Sequence, residues 1–221
     1  MSFIVAVDGP AGSGKGTITK RIEKEMGLIN LDTGATYRCV ALETIRHGLK
    51  AENEKEIIEL LNNMQIKIEK QDGKDVIYLN GEDVSKKIRE MPVSKMVSQI
   101  SAIIPVREKL VEIQREMAKG KNVIAEGRDI GTVVFPNANL KIYLDANEEV
   151  RAKRRYNECV EKGMKTTYQE VLENIITRDT NDKNKKYGSL KKADDAILID
   201  TSNMNIDEVV EKVKKEIKAK M

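Results

Sequence analysis

The chain has 221 residues, of which 34% are charged and 4% aromatic with no Trp, and it carries a net charge of +3. That length allows one α/β domain with a large buried core, or a core carrying a small insertion. So few aromatics argue against stacking on single-stranded nucleic acid, and so small a charge does not point to a polyanion partner.

Phe3 to Val7 (FIVAV) is a continuous apolar run rich in β-branched residues, as expected of a strand covered on both faces. A Gly-rich turn follows, and a helix is predicted from Lys15, with Ile18, Ile22 and Met26 on one side and Gly27 as its stop. Leu28 to Ile45 reads as a short strand, a turn at Asp32-Thr33-Gly34 and a second helix, and Glu54 to Met64 shows another helical face. Ile66 to Ser85 then alternates apolar and polar residues around Asp72-Gly73 and Asn80-Gly81. That pattern predicts a small antiparallel sheet inserted among the helices, ending near Met91-Pro92.

Val97 to Ala118 is predicted to be helical with an interruption at Pro105, and Asn122–Gly127 and Leu140–Ala146 are two further buried strands. A charged helix over residues 148–163 comes next, and then a helix from Tyr168 to Ile176 that gives way to a polar loop containing Arg178, Asp179 and Asp182. Ala196–Thr201 is the last strand. The closing helix is amphipathic, with Ile206, Val209, Val210, Val213 and Ile217 expected to face inward. Strands alternating with helices predict a parallel sheet flanked by helices, an α/β fold.

No apolar stretch is long enough to span a bilayer, and FIVAV lacks the length and basic flank of a signal peptide, so a cytoplasmic location is expected. Cys39 and Cys159 have no metal-ligand spacing and read as ordinary thiols of a reducing compartment. The single histidine, His47, stands beside a helix end at Gly48 and is read as a helix-terminus residue.

The chemistry starts in VDGPAGSGKGT, Val7 to Thr17. Gly9, Gly14 and Lys15 match the phosphate-loop pattern G-x-x-x-x-G-K-[ST], in the strand–turn–helix context that gives the motif its meaning. Bare glycines let successive N–H groups face phosphate oxygens at a helix N-terminus, and Lys15 adds a mobile charge. Where a hydroxyl usually follows the lysine there is Gly16, and Thr17 comes one place later. Three other stretches hold anion-binding side chains at predicted strand ends or loops: Asp32 to Arg38, Gly127-Arg128-Asp129, and Arg178 to Asp182. Taken singly each reads as a surface ion pair. Together with a phosphate loop they suggest a second phosphate site and transfer between two bound molecules. A phosphate monoester acceptor needs no strong general base, so alignment and charge neutralisation suffice, which suits a chain with no His near these motifs.

GPAGSGKGT, LDTGATYR, AEGRDIGTVVFP, the helix with RAKRR, and RDTNDKN…KKADDAILIDTS occur in the order seen in bacterial cytidylate kinases, and the chain resembles that family from end to end. The resemblance implies a single P-loop kinase domain: a core of residues 1–38 and 96–221, a monophosphate-binding region at about 39–95 that holds the β insert, and a helical lid at about 148–180. It implies ATP and Mg²⁺ as cofactor and metal, CMP and dCMP as substrates, and a monomer without nucleic-acid or membrane partners. Gly9, Pro10, Ala11, Gly12, Ser13, Gly14, Lys15, Gly16 and Thr17 would bind the ATP phosphates, with Thr17 the hydroxyl nearest the metal, and Thr201 would lie beside adenine. Thr33, Arg38 and Arg128 would hold the acceptor phosphate or its surroundings. Ser98, Arg107 and Asp129 would read the cytosine, and Arg178 and Asp182 would contact sugar and phosphate. Of the lid arginines Arg151, Arg154 and Arg155, one or two would reach the transferring phosphate. The chain departs from the family pattern at Asn181 and Lys185, where arginines are common, and at Ser189, where proline is usual; a lysine cannot make a forked contact.

Two other readings use the same residues. An adenylate or uridylate kinase would share loop and lid but lack the Asp129–Arg107 pairing. A GTP-dependent switch should show an Asn/Thr-Lys-x-Asp stretch, which is not found. RNA binding through the lysines is a weaker third.

Overall fold

A computed structural model describes residues 2–161 and 163–221, so Lys162, at the end of the predicted charged helix, lies outside the described residues. The described chain divides into two compact units: residues up to Asn30 with Gly120–Met221, and Leu31–Lys119.

The first unit is built on parallel strands. β1 (Ile4–Asp8) lies between β6 (Val123–Gly127) and β7 (Leu140–Asp145), and β7 pairs with β8 (Ile197–Asp200). The sheet order is β2-β6-β1-β7-β8, with β2 running from Ile29 to Asp32. Val5, Val7, Ile124, Ile142, Leu144 and Ile199 are buried in this sheet. The helices α1 (Lys15–Met26) and α8 (Ile206–Lys218) cover it through Ile18, Ile22, Val210, Val213 and Ile217. Two further helices, α6 (Glu148–Glu161) and α7 (Tyr168–Lys183), pack on each other through Ala152, Val171 and Ile175.

Two readings of this unit are corrected. Ile206 is 52% exposed, not buried. It is the first residue of α8, and helical side chains lean toward the N-terminus, so this one points past the end of the apolar stripe. Helix α7 also continues well beyond Ile176. Arg178, Asp179 and Asp182 stand on a helix rather than in a loop or at a strand end.

The second unit holds α2 (Thr33–Arg46), α3 (Glu54–Asn62), the antiparallel strands β3 (Ile66–Gln71), β4 (Lys74–Leu79) and β5 (Glu82–Asp83), a 3-10 turn at Lys87–Arg89, α4 (Met91–Ile100) and α5 (Ile104–Ala118). Both predicted hairpin turns are present, with positive φ at Asp72 and Gly73 and at Asn80 and Gly81. The unit runs from Leu31 to Lys119, and Ala35 and Val40 of α2 share one core with Ile100 and Leu110 of α4 and α5. The helical break falls at Ser101–Ile103, before Pro105, which occupies the first turn of α5 where its missing N–H is harmless; Pro92 likewise opens α4. No turn separates β2 from α2: the Asp32 side chain accepts from Ala35 N at 3.2 Å and caps the helix directly.

Cys39 and Cys159 are free and buried, and burial pushes the Cys39 thiol up to about 12. No described helix is long and apolar enough to cross a membrane.

Candidate active site

The C-terminal ends of β1, β7 and β8 lead into the predicted donor-side residues, and that of β6 into Arg128 and Asp129, predicted for the acceptor, as expected in an open parallel sheet. Beyond β1 the chain turns at Gly9, where a Cβ would fall 2.0 Å from the Leu144 carbonyl oxygen, so no other residue fits. Gly14 precedes α1 at φ 88° and supplies no side-chain cap, which leaves the first helical N–H groups for an anion. The Lys15 side chain is buried. Its Nζ donates to Gly9 O at 2.7 Å, Pro10 O at 2.8 Å and Ser13 Oγ at 3.2 Å, so the ammonium lies along the inside of the loop. Burial, and then the Arg128 charge, hold Lys15 well below the usual lysine range, against the opposing pull of Glu126, Asp8 and Asp182. Ala11 differs from its expected role: its N–H is committed to Asp179 Oδ1 at 3.2 Å and its carbonyl to Arg151.

Gly16 has a spatial cause. A Cβ there would lie 3.2 Å from Glu126 Oε1 and 3.6 Å from Oε2, so a carboxylate from the end of β6 fills the place next to the lysine. Thr19 Oγ1 donates to the same Glu126 oxygen at 3.3 Å, while Thr17 is exposed at the helix start. A carboxylate beside a hydroxyl and bound phosphates is the hard-oxygen set that Mg²⁺ takes, with few protein ligands. The donors present therefore fit that ion. Glu126 carried no signal in the loop motif, and only the fold brings it there.

The β6 end leads through Gly127 to Arg128, Asp129 and a π-helical turn, Ile130–Val134. Asp8, not singled out in the sequence, anchors this turn: its Oδ1 accepts from Ile130 N at 2.7 Å and its Oδ2 from Gly131 N at 2.8 Å. Burial raises Asp8 to about 6, and the nearby Asp129 charge adds to the rise, while the two backbone N–H groups and Lys15 oppose it. Because the folded value lies above the unfolded one, ionised Asp8 costs stability above pH about 6, and that cost is relieved as the pH falls toward the ordinary carboxylate range. The geometry runs the other way, since protonation removes one acceptor. The amide resonances of Ile130 and Gly131 are therefore expected to titrate with a midpoint of about 6, and to lose that titration in Asp8→Asn. Flat shifts in the unsubstituted protein would contradict this anchoring.

Arg128 Nε donates to Asp182 Oδ2 at 2.9 Å, and Lys185 Nζ to Asp182 Oδ1 at 2.8 Å. Burial would raise Asp182, but Arg128 and Lys185 outweigh it and hold the carboxyl below its ordinary value. Arg178, half-buried, lies one turn before Asp182 on α7. The substituted Lys185 thus keeps its charge at this cluster as a single-point donor.

The lid arginines separate. Arg151 is buried, with its Nη1 2.6 Å from Asp179 Oδ2, and is removed from any reach toward a phosphate. Arg154 donates to Thr201 Oγ1 at 3.0 Å and Thr201 O at 2.6 Å, so it seals the loop after β8. Thr201 in turn donates from both N and Oγ1 to Asp145 O. Arg155 is exposed and pairs with Glu158 at 2.7 Å.

Within the second unit, Thr33 opens α2 and is buried, and Arg38 stands on the same helix. Arg107 is buried on α5, donates to Ser101 O at 3.0 Å, and places its guanidinium 5.4 Å from the Tyr37 ring centroid. Ser101 Oγ donates to Ser98 O at 3.0 Å, so Ser101, missed in the sequence, ties the two predicted base-reading residues of this unit together.

The family model described as cytidylate kinase matches residues 5–219. A cytidylate kinase from Caldicellulosiruptor bescii is 47% identical over 209 residues, 95% of this chain and 92% of that protein. One from Fusobacterium nucleatum is 47% identical over 216 residues, 98% of this chain and 97% of its own length. Among solved structures, a sugar kinase from Janibacter aligns with a TM-score of 0.50 at 15% identity over 99% of this chain and 95% of that one. An uncharacterized protein from Eubacterium ventriosum aligns with a TM-score of 0.52 at 12% identity over 99% of both chains. These two likenesses concern the fold alone.

Proposed function

The chain belongs to the cytidylate kinase family, and from that premise we propose that it transfers the terminal phosphoryl group of ATP to CMP and dCMP. The observation that carries the reading is the loop from Gly9 to Thr17, with buried Lys15 and the uncapped start of α1 at the end of β1. The N–H groups from Gly12 to Gly16 bind the ATP phosphates, and Lys15 swings from the loop carbonyls onto the oxygens that gain charge during transfer. Glu126 and Thr17 would hold Mg²⁺ beside those phosphates, where the ion would supply neutralisation of phosphate charge.

The acceptor is a phosphate monoester, already anionic near neutral pH, so the residues around it position rather than deprotonate. Thr33, Arg38 and Arg128 orient its phosphate, with Arg178 and Asp182 on the sugar side. Ser98, Arg107 and Asp129 read the base: cytosine offers an amino donor to the Asp129 carboxylate and acceptors to Arg107. Uracil would turn a carbonyl toward Asp129 and leave both groups unpaired, a loss of about 1–3 kcal/mol for each buried group. Thr201, under Arg154, borders the adenine. Residues at about 148–180 act as a lid that excludes water, and the protein works as a monomer in the cytoplasm.

Phosphorus NMR of ATP mixed with CMP and the protein tests the reaction: CDP and ADP should appear in equal amounts, and ADP without CDP would overturn it. Arg154→Ala and Arg155→Ala are each expected to lower turnover by about ten-fold or more and to weaken ATP binding less. Unchanged turnover in both would remove the lid arginines from the account.

A further inference from the structure

The peptide of Ala11 is held from both sides by a buried ion pair. Asp179 of α7 accepts from Ala11 N through Oδ1 at 3.2 Å, and its Oδ2 lies 2.6 Å from Arg151 Nη1. Arg151 of α6 donates from Nη1 to Ala11 O at 2.9 Å and from Nε to Ala146 O at 2.8 Å. Both side chains are 3% exposed. The next residue is constrained by contact as well, since a Cβ on Gly12 would meet Arg151 Cβ at 3.2 Å. A buried ion pair adds little net stability over an apolar pair of equal volume, so its distinctive contribution is direction. Here the hydrogen bonds of the pair end on the phosphate loop or on the strand end beside it.

We propose that Arg151 and Asp179 are positioning residues that aim the Gly12–Lys15 amides, and that they couple the loop to helices α6 and α7. The coupling has a mechanical basis. Arg154 and Arg155 lie about one turn beyond Arg151 on α6, and Arg178 and Asp182 flank Asp179 on α7. The two helices are packed through Ala152, Val171 and Ile175, with the Tyr156 and Tyr168 rings 6.3 Å apart, edge to face. A shift of this helix pair therefore moves the Ala11 peptide, and ATP phosphates seated on the loop restrain the helix pair in return. The proposal rests on the reading of Gly9–Thr17 as the ATP phosphate loop.

The test is calorimetric titration of the full chain with MgATP and, separately, with CMP, alongside a melting curve. The double variant Arg151→Met/Asp179→Leu replaces the pair with apolar groups that keep the packing, and Arg151→Lys keeps the charge but loses the fork. For the double variant the MgATP dissociation constant is expected to rise by about ten-fold or more while CMP affinity stays near that of the unsubstituted protein. The melting midpoint falls, because the Ala11 N–H and the Ala11 and Ala146 carbonyls lose their partners. Arg151→Lys is expected to fall in between, and supplies the same comparison if the double variant does not fold. Unchanged MgATP affinity in the folded variants would overturn the proposal. So would a parallel loss of affinity for both nucleotides in the folded variants, which is what a merely structural pair would give. Absence of MgATP binding by the unsubstituted protein would be a different result, overturning the phosphate-loop reading and the proposal with it.

Discussion

Lys15→Met should lower turnover by about 10²–10³-fold while the protein melts close to its original midpoint. Lys15 is buried and desolvated, and its ammonium donates to the Gly9 and Pro10 carbonyls and the Ser13 hydroxyl. Those groups compete weakly with a phosphate oxygen that is acquiring charge. The ammonium is therefore worth most in the transition state, and the loss should fall on kcat more than on ATP affinity. The fold loses little, because burying an ammonium below its ordinary pKa is itself unfavourable, and Met fills the same volume without that cost. Initial-rate kinetics together with a melting curve check both halves. A Lys15→Met protein that keeps its kcat would remove the loop from the chemistry.

Asp129→Asn is expected to change which base is accepted. The ratio of kcat/KM for CMP over UMP should fall by about ten- to hundred-fold, since an amide can donate to the uracil carbonyl where the carboxylate cannot. The turn that presents Asp129 is anchored by Asp8 on Ile130 N and Gly131 N and by the Asp129 backbone carbonyl, which accepts from Val133 and Val134. The substitution leaves those groups in place, so a change in discrimination with little change in melting is the expected signature. An unaltered ratio would take Asp129 out of base recognition.

Much of the fold could be read along the chain because its signals are local. The buried β-branched run at β1, the glycines around Lys15, and the Asp-Gly and Asn-Gly turns of the antiparallel sheet each specify their own conformation. Local signals fail where distant partners decide. Arg178 to Lys183 is a polar run without an apolar stripe and reads as loop, yet α7 continues through it because Asp179 meets Arg151 and Asp182 meets Arg128 across the unit. Asp8 reads as a strand-end residue until the π-helical turn is seen to hang from it. Arg151 could not be told from Arg154 and Arg155 by spacing alone, because burial against the loop distinguishes it and burial is a tertiary fact. Gly16 was legible as a departure from the motif. Its cause, the Glu126 carboxylate, lies on another strand.

The substrate panel tests the central claim most directly: ADP release from MgATP with CMP, dCMP, UMP, AMP or GMP supplied one at a time. Fast turnover with CMP and dCMP, and little with the other three, is the expected result. Equal turnover with UMP would leave a kinase without the Asp129–Arg107 base recognition, and no turnover with any acceptor would contradict the assignment of phosphoryl transfer itself.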